Sequence, residues 1–108
     1  MRLLLIPITI AYLLNIMALT QDHLEKAVAI ARRYGADRVL LFGSALHDLE
    51  SARDLDLAIG GVDGWAFFGM AAEMERVVPV PIDVISLDPE TRFNRHIMKR
   101  GRFLYEHR

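Results

Sequence analysis

The chain has 108 residues, 13 of them basic and 14 acidic, for a net charge of −1, and it contains no cysteine. That length fits one domain with a modest core, and the near-balanced charge excludes a bulk electrostatic pull toward nucleic acid. Disulfides, thiolate metal sites and a cysteine nucleophile are excluded too, and a cytoplasmic location is the expectation. Leu3 to Leu19 is almost wholly apolar, broken by Pro7, Thr9 and Asn15 and preceded by Arg2. A basic start before an apolar run marks a signal peptide or an anchor. No Ala-x-Ala cleavage site follows, however, and the run is at the short limit for a bilayer. Residues 1–19 therefore read as an N-terminal extension, either a packed extra element or residues upstream of a start at Met17. Membrane association is the lesser alternative. Residues 20–108 read as the domain.

Thr20 is suited to cap a helix, with Asp22 and Glu25 near its positive end. Leu24, Ala27, Val28 and Ala31 recur at helical spacing and predict an amphipathic helix over 21–34, stopped by Gly35. The next apolar run predicts a buried strand over 38–42, too short for a helix. Gly43 and Ser44 follow at once. A glycine there lets the backbone approach a ligand closely, and Ser44 can open a helical turn whose free N–H groups face an anion. Residues 45–53 form a short helix or loop, and Leu55 to Ile59 a second strand, closed by Gly60-Gly61 and Asp63-Gly64. Asp54 and Asp56 sit one strand step apart on one face, about 7 Å apart at the alpha carbons, while Leu55 and Leu57 face the other side. Two acids on one face of an apolar run demand a partner, and oxygen ligands suit a hard cation such as Mg2+.

Trp65 to Val78 predicts a second helix, with Phe68, Ala71, Ala72 and Met74 toward the core and Pro79 and Pro81 at its end. Trp65, Phe67 and Phe68 read as core or partner interface. Ile82 to Leu87 predicts a third strand, with Asp83 and Ile85 on the face opposite Ile82, Val84 and Ser86. Pro89 to Arg100 predicts a third helix, ended by Gly101 before a short strand over 102–105. His23 and His96 read as surface residues. Helices between short strands give an α/β domain, a small mixed sheet with helices packed on one face.

The pattern Gly43-Ser44, nine residues, then Asp54-Leu55-Asp56 resembles the signature of the DNA polymerase beta-like nucleotidyltransferase superfamily. The short length is similar to that of its smallest branch, the minimal nucleotidyltransferases (MNT). Asp83 matches the third carboxylate of that family, and residues 95–106 resemble its closing helix, glycine and strand. The resemblance covers about residues 20–106. It implies the nucleotidyltransferase fold and a Mg2+-dependent enzyme that moves AMP, or another NMP, from an NTP to an acceptor hydroxyl. By this resemblance Asp54, Asp56 and Asp83 would be metal ligands for two Mg2+ ions and the catalytic residues. Gly43, Ser44 and His47 would bind the nucleotide.

Proteins of this kind commonly pair with a small helical HEPN-domain protein as the antitoxin of a toxin–antitoxin pair, and some silence it by adding AMP to a tyrosine. The implied partners are therefore an NTP and a HEPN protein, in a homo- or hetero-oligomer, without direct nucleic-acid binding. Three positions depart from the family pattern. His47 stands where arginine is frequent, Asp48 where glycine is common and Arg53 where serine is usual. A neutral imidazole holds phosphate less well than a guanidinium. These departures motivate the alternative, a non-catalytic antitoxin that neutralises a HEPN partner by contact. Lys99, Arg100 and Arg102 read as a solvated helix end or as a basic cluster on the phosphate side.

Overall fold

The computed structural model describes residues 9–10 and 17–107. The N-terminal extension therefore lies mostly outside the described residues, although Leu19 is fully buried in the main core. The elements run α1 (Gln21–Arg33), β1 (Arg38–Phe42), a 3-10 turn (Ser44–Leu46), β2 (Leu55–Gly60), α2 (Gly64–Val77), β3 (Ile82–Ser86), α3 (Arg92–Arg100) and β4 (Arg102–Glu106). Among the described residues no helix is long and apolar enough to cross a membrane.

The four strands form one mixed sheet in the order β3-β2-β1-β4. β1 pairs antiparallel with both β2 and β4, and β2 pairs parallel with β3. Alternation along the strands gives the sheet two apolar faces. Val39 and Leu41 of β1 and Leu55, Leu57 and Ile59 of β2 join α1 and α2 in the larger core. Leu40, Ala58, Ile85 and Phe103 turn to the other side and pack with Ile97 of α3. The expectation of helices on one face thus holds for α1 and α2, while α3 crosses the opposite face. The reason is the sheet order, since the chain leaves β3 at one edge and must reach β4 at the other.

α1 begins where its cap dictates. The Thr20 hydroxyl accepts the His23 N–H at 3.3 Å, and His23 Nδ1 accepts the Thr20 N–H at 3.0 Å. This is a capping box with imidazole in the place usually held by Glu or Gln, so His23 does more than occupy the surface. Thr20→Ala is expected to lower stability by about 1 kcal/mol, read as a lower urea midpoint at unchanged slope. The far end of α1 is tied to α2 through Glu73. Its carboxylate accepts from the Arg33 guanidinium at 2.9 Å and from the Tyr34 hydroxyl.

α2 buries Met70 and Met74, with Phe67 and Val77 partly covered. The expected inward face was rotated by about one position, because Phe68 is 66% exposed and Ala72 also faces outward. Apolar residues lie on nearly every side of this helix, so spacing alone does not set its phase. α3 starts at Arg92 rather than Pro89, because the Thr91 hydroxyl accepts the Asn94 N–H at 3.0 Å and fixes the cap there.

Candidate active site

Strand register brings the acids together. Phe42 at the end of β1 lies opposite Asp56, and Asp56 lies beside Asp83 across the parallel β2–β3 pair. Neighbouring strands are about 4.8 Å apart, so these two aspartates stand side by side on the α3 face of the sheet. Asp54 precedes β2 and is exposed at its entrance. Burial first, then the charges of Asp54 and Asp83, push the Asp56 carboxyl above the usual carboxylate range. Ion pairing does not relieve this charge, since among the described residues no lysine or arginine pairs with any of the three.

Asp56, repelled by Asp54 and Asp83 and without a cationic partner among the described residues, offers with its neighbour Asp83 the hard oxygen donors that suit a divalent cation such as Mg2+. Their side chains do not form a ready-made cage. Among the described residues no three acid or imidazole groups are posed as a complete ligand set. The residues that fit are the Asp56–Asp83 pair with Asp54 at its flank.

Gly43 joins this row to the next turn. Its φ of +77° lies in the left-handed region, and a Cβ there would run into the Asp56 side chain, 3.0 Å from Cγ. The residue must be glycine both for its conformation and for this close approach. Ser44 to Leu46 then form one 3-10 turn, closed by the Leu46 N–H on the Gly43 carbonyl at 3.2 Å. Beside the turn opens a cavity of about 440 Å3, lined by Gly43, Ser44 and His47 on one side and by His96 and Arg100 of α3 on the other. The three residues expected to bind nucleotide therefore share one cavity, next to the acid row.

Of these two, Arg100 belongs to the basic cluster that the sequence offered for the phosphate side, whereas His96 reads there only as a surface residue. Both are exposed, as expected, but they are exposed toward the cavity. Lys99 and Arg102 do not line it, so the basic cluster divides. One signal was available: His96 and Arg100 are four residues apart on one helical face, flanking the inward Ile97. That signal becomes informative only once the crossover of α3 is known.

No family model matches the chain, and no curated protein does. Solved structures do match its fold. One is a toxin–antitoxin MntA–HepT mutant in which two aspartates two positions apart are replaced by glutamate. It gives a TM-score of 0.65 at 16% identity, over 76% of this chain and 72% of that one. Another is the toxin–antitoxin MntA–HepT itself, with a TM-score of 0.62 at 17% identity, over 81% of this chain and 73% of the other. A third is the tri-AMPylated Shewanella oneidensis HEPN toxin in complex with MNT antitoxin, with a TM-score of 0.62 at 18% identity, over 80% and 71% of the two chains. At these identities the likeness is one of fold. The chain has the fold of the MNT antitoxins, and the nucleotidyltransferase architecture expected from its motifs is the one observed.

Proposed function

We propose that the chain is a Mg2+-dependent nucleotidyltransferase that acts as the antitoxin of a HEPN-type toxin, moving AMP from ATP to a hydroxyl of that partner in the cytoplasm. The observation that carries this reading is the Asp56–Asp83 pair, with Asp56 against the Gly43 turn beside a cavity and Asp54 at the entrance of the same strand. Two features of the solved structures support it. One has its paired Asp→Glu substitutions at the same spacing as Asp54 and Asp56, and in another the HEPN toxin bound to an MNT antitoxin is tri-AMPylated.

Asp54, Asp56 and Asp83 would hold the metal, as two ions. When bound, Mg2+ neutralises triphosphate charge and lowers the pKa of the acceptor hydroxyl. The chain's own residues position the reactants. Gly43 keeps the backbone clear of Asp56 so that phosphate can lie against the turn, and the Ser44 hydroxyl donates to a phosphate oxygen. His47 lines the same cavity from the end of the turn. The acceptor oxygen attacks the α-phosphorus, the bond to the bridging oxygen of the β-phosphate breaks, and pyrophosphate leaves. Asp83 takes the hydroxyl proton. Catalysis of this kind rests mostly on positioning and charge neutralisation. In this reading the HEPN partner brings the acceptor hydroxyl.

The test is incubation of the purified chain with its HEPN partner, Mg2+ and ATP labelled at the α-phosphate. Label on the partner, with loss of its toxicity, is the expected outcome. A partner neutralised without label would sink the transfer reaction and leave neutralisation by contact.

A further inference from the structure

The cavity beside the Gly43 turn holds a cation that the motif itself does not supply. Gly43 and Ser44 carry no charge, and His47 brings only an imidazole. Among the described residues lining the cavity, Arg100 is the one permanent cation. It forms no ion pair with any described residue, so its guanidinium is not committed to a carboxylate elsewhere.

Its position is fixed by the packing of α3. Ile97 is 5% exposed and packs with Leu40 and Ala58. Asn94, also 5% exposed, donates through Nδ2 to the Pro89 carbonyl at 2.9 Å and the Ser86 carbonyl at 3.3 Å. Phe93 meets Phe42 edge to face, with ring centroids 6.5 Å apart. At the end of the helix, a Cβ on Gly101 would lie 2.6 Å from the Leu41 carbonyl oxygen, so the backbone there presses directly on β1. The last turn of α3 is thus held against β1, the strand that runs into Gly43, and the Arg100 and His96 side chains share its cavity face. A helix C-terminus presents partial negative charge, which would repel a phosphate. A cation in that turn is what makes the cavity hospitable to an anion.

We propose that Arg100 is the phosphate-binding arginine of this site, reaching from α3 to the β- and γ-phosphates of the nucleotide held at Gly43 and Ser44. It is a nucleotide-positioning residue, and the proposal rests on the nucleotide reading given above. A charge-assisted contact to the terminal phosphates strengthens ATP binding and leaves AMP nearly unaffected.

The test measures the affinity of the full chain for MgATP, MgADP and AMP by calorimetry, in wild type, Arg100→Ala and Lys99→Ala. The last removes the same charge from the same helical turn, away from the cavity. The expected result is a loss of MgATP affinity on the order of tenfold to a hundredfold in Arg100→Ala, against less than about threefold for AMP. Lys99→Ala should stay within about threefold of wild type throughout, and all three proteins should melt together. Equal losses for ATP and AMP, equal losses in the two variants, or no loss in Arg100→Ala would overturn the role of Arg100 alone. A wild-type chain that binds none of the three nucleotides would overturn the nucleotide reading and this inference with it.

Discussion

Replacing Asp54 and Asp56 together by asparagine is expected to abolish AMP transfer without unfolding the protein. Metal-assisted charge stabilisation contributes several kcal/mol to such reactions, so the loss is on the order of a thousandfold or more at about 1.4 kcal/mol per tenfold. Stability should move the other way. In the folded chain, burial and then the neighbouring Asp54 and Asp83 charges raise the Asp56 carboxyl above its ordinary value of 3.8. The folded state therefore binds that proton more tightly than the unfolded state does. As pH rises through the window above 3.8, the fold loses stability. At neutral pH the ionised Asp56 is a cost, and below about pH 4 that cost disappears.

In metal-free buffer at pH 7 the double variant should accordingly melt at or above the wild-type temperature, with the gap closing in acid. Added Mg2+ should raise the melting temperature of the wild type only, because a ligand stabilises the state that binds it. Melting curves at pH 7 and pH 4, with and without Mg2+, check this directly. A variant that melts well below wild type at pH 7 would show that the acids serve the fold and not a site.

The second large effect is expected from Gly43→Ala. A left-handed conformation costs an L-residue about 1–2 kcal/mol, which corresponds to a fall of roughly 5–15 °C in melting temperature for a domain of this size. Strain is only part of the consequence. The new methyl group would displace the Asp56 carboxylate from its place beside the turn. A shift of about 1 Å at a reacting centre costs on the order of a hundredfold in rate. Gly35 supplies the control, since its φ is +93° yet nothing lies within 4 Å of an added Cβ. Gly35→Ala should lose comparable stability and keep its transfer activity, whereas Gly43→Ala should lose both. Equal activity in the two variants would contradict the contact between Gly43 and Asp56.

Much of this arrangement is legible in the residues because it is local. β1 is predicted at its observed bounds, Arg38–Phe42, since an apolar run between a charged residue and a glycine permits little else. Asp56 is readable from alternation along its strand, and Gly43-Ser44 from its place at the end of β1. What the sequence does not carry is non-local. Asp83 lies beside Asp56 because β2 and β3 pair in parallel register, which local pattern does not dictate. The family resemblance, not the pattern around Asp83, led to it.

The α3 face is the larger omission. His96 looks like any solvated helix residue, and Arg100 cannot be told from Lys99 and Arg102 within the basic cluster, until the crossover from β3 to β4 lays both over the cavity. The phase of α2 was hidden for a different reason. Its apolar residues exceed what the sheet can cover, leaving Trp65 89% exposed and in contact with Phe68 at 5.9 Å between ring centroids. The capping role of His23 was missed because the usual sequence signal is Glu or Gln three residues after the cap.

The central claim is that the aspartate row and the Gly43 turn form one nucleotide and metal site. Calorimetric titration of MgATP into the wild type and into the Asp54→Asn, Asp56→Asn double variant tests it most directly. The account predicts saturable binding by the wild type that disappears in a variant that is still folded. Binding that is equal in the two proteins, or absent from both, would contradict it.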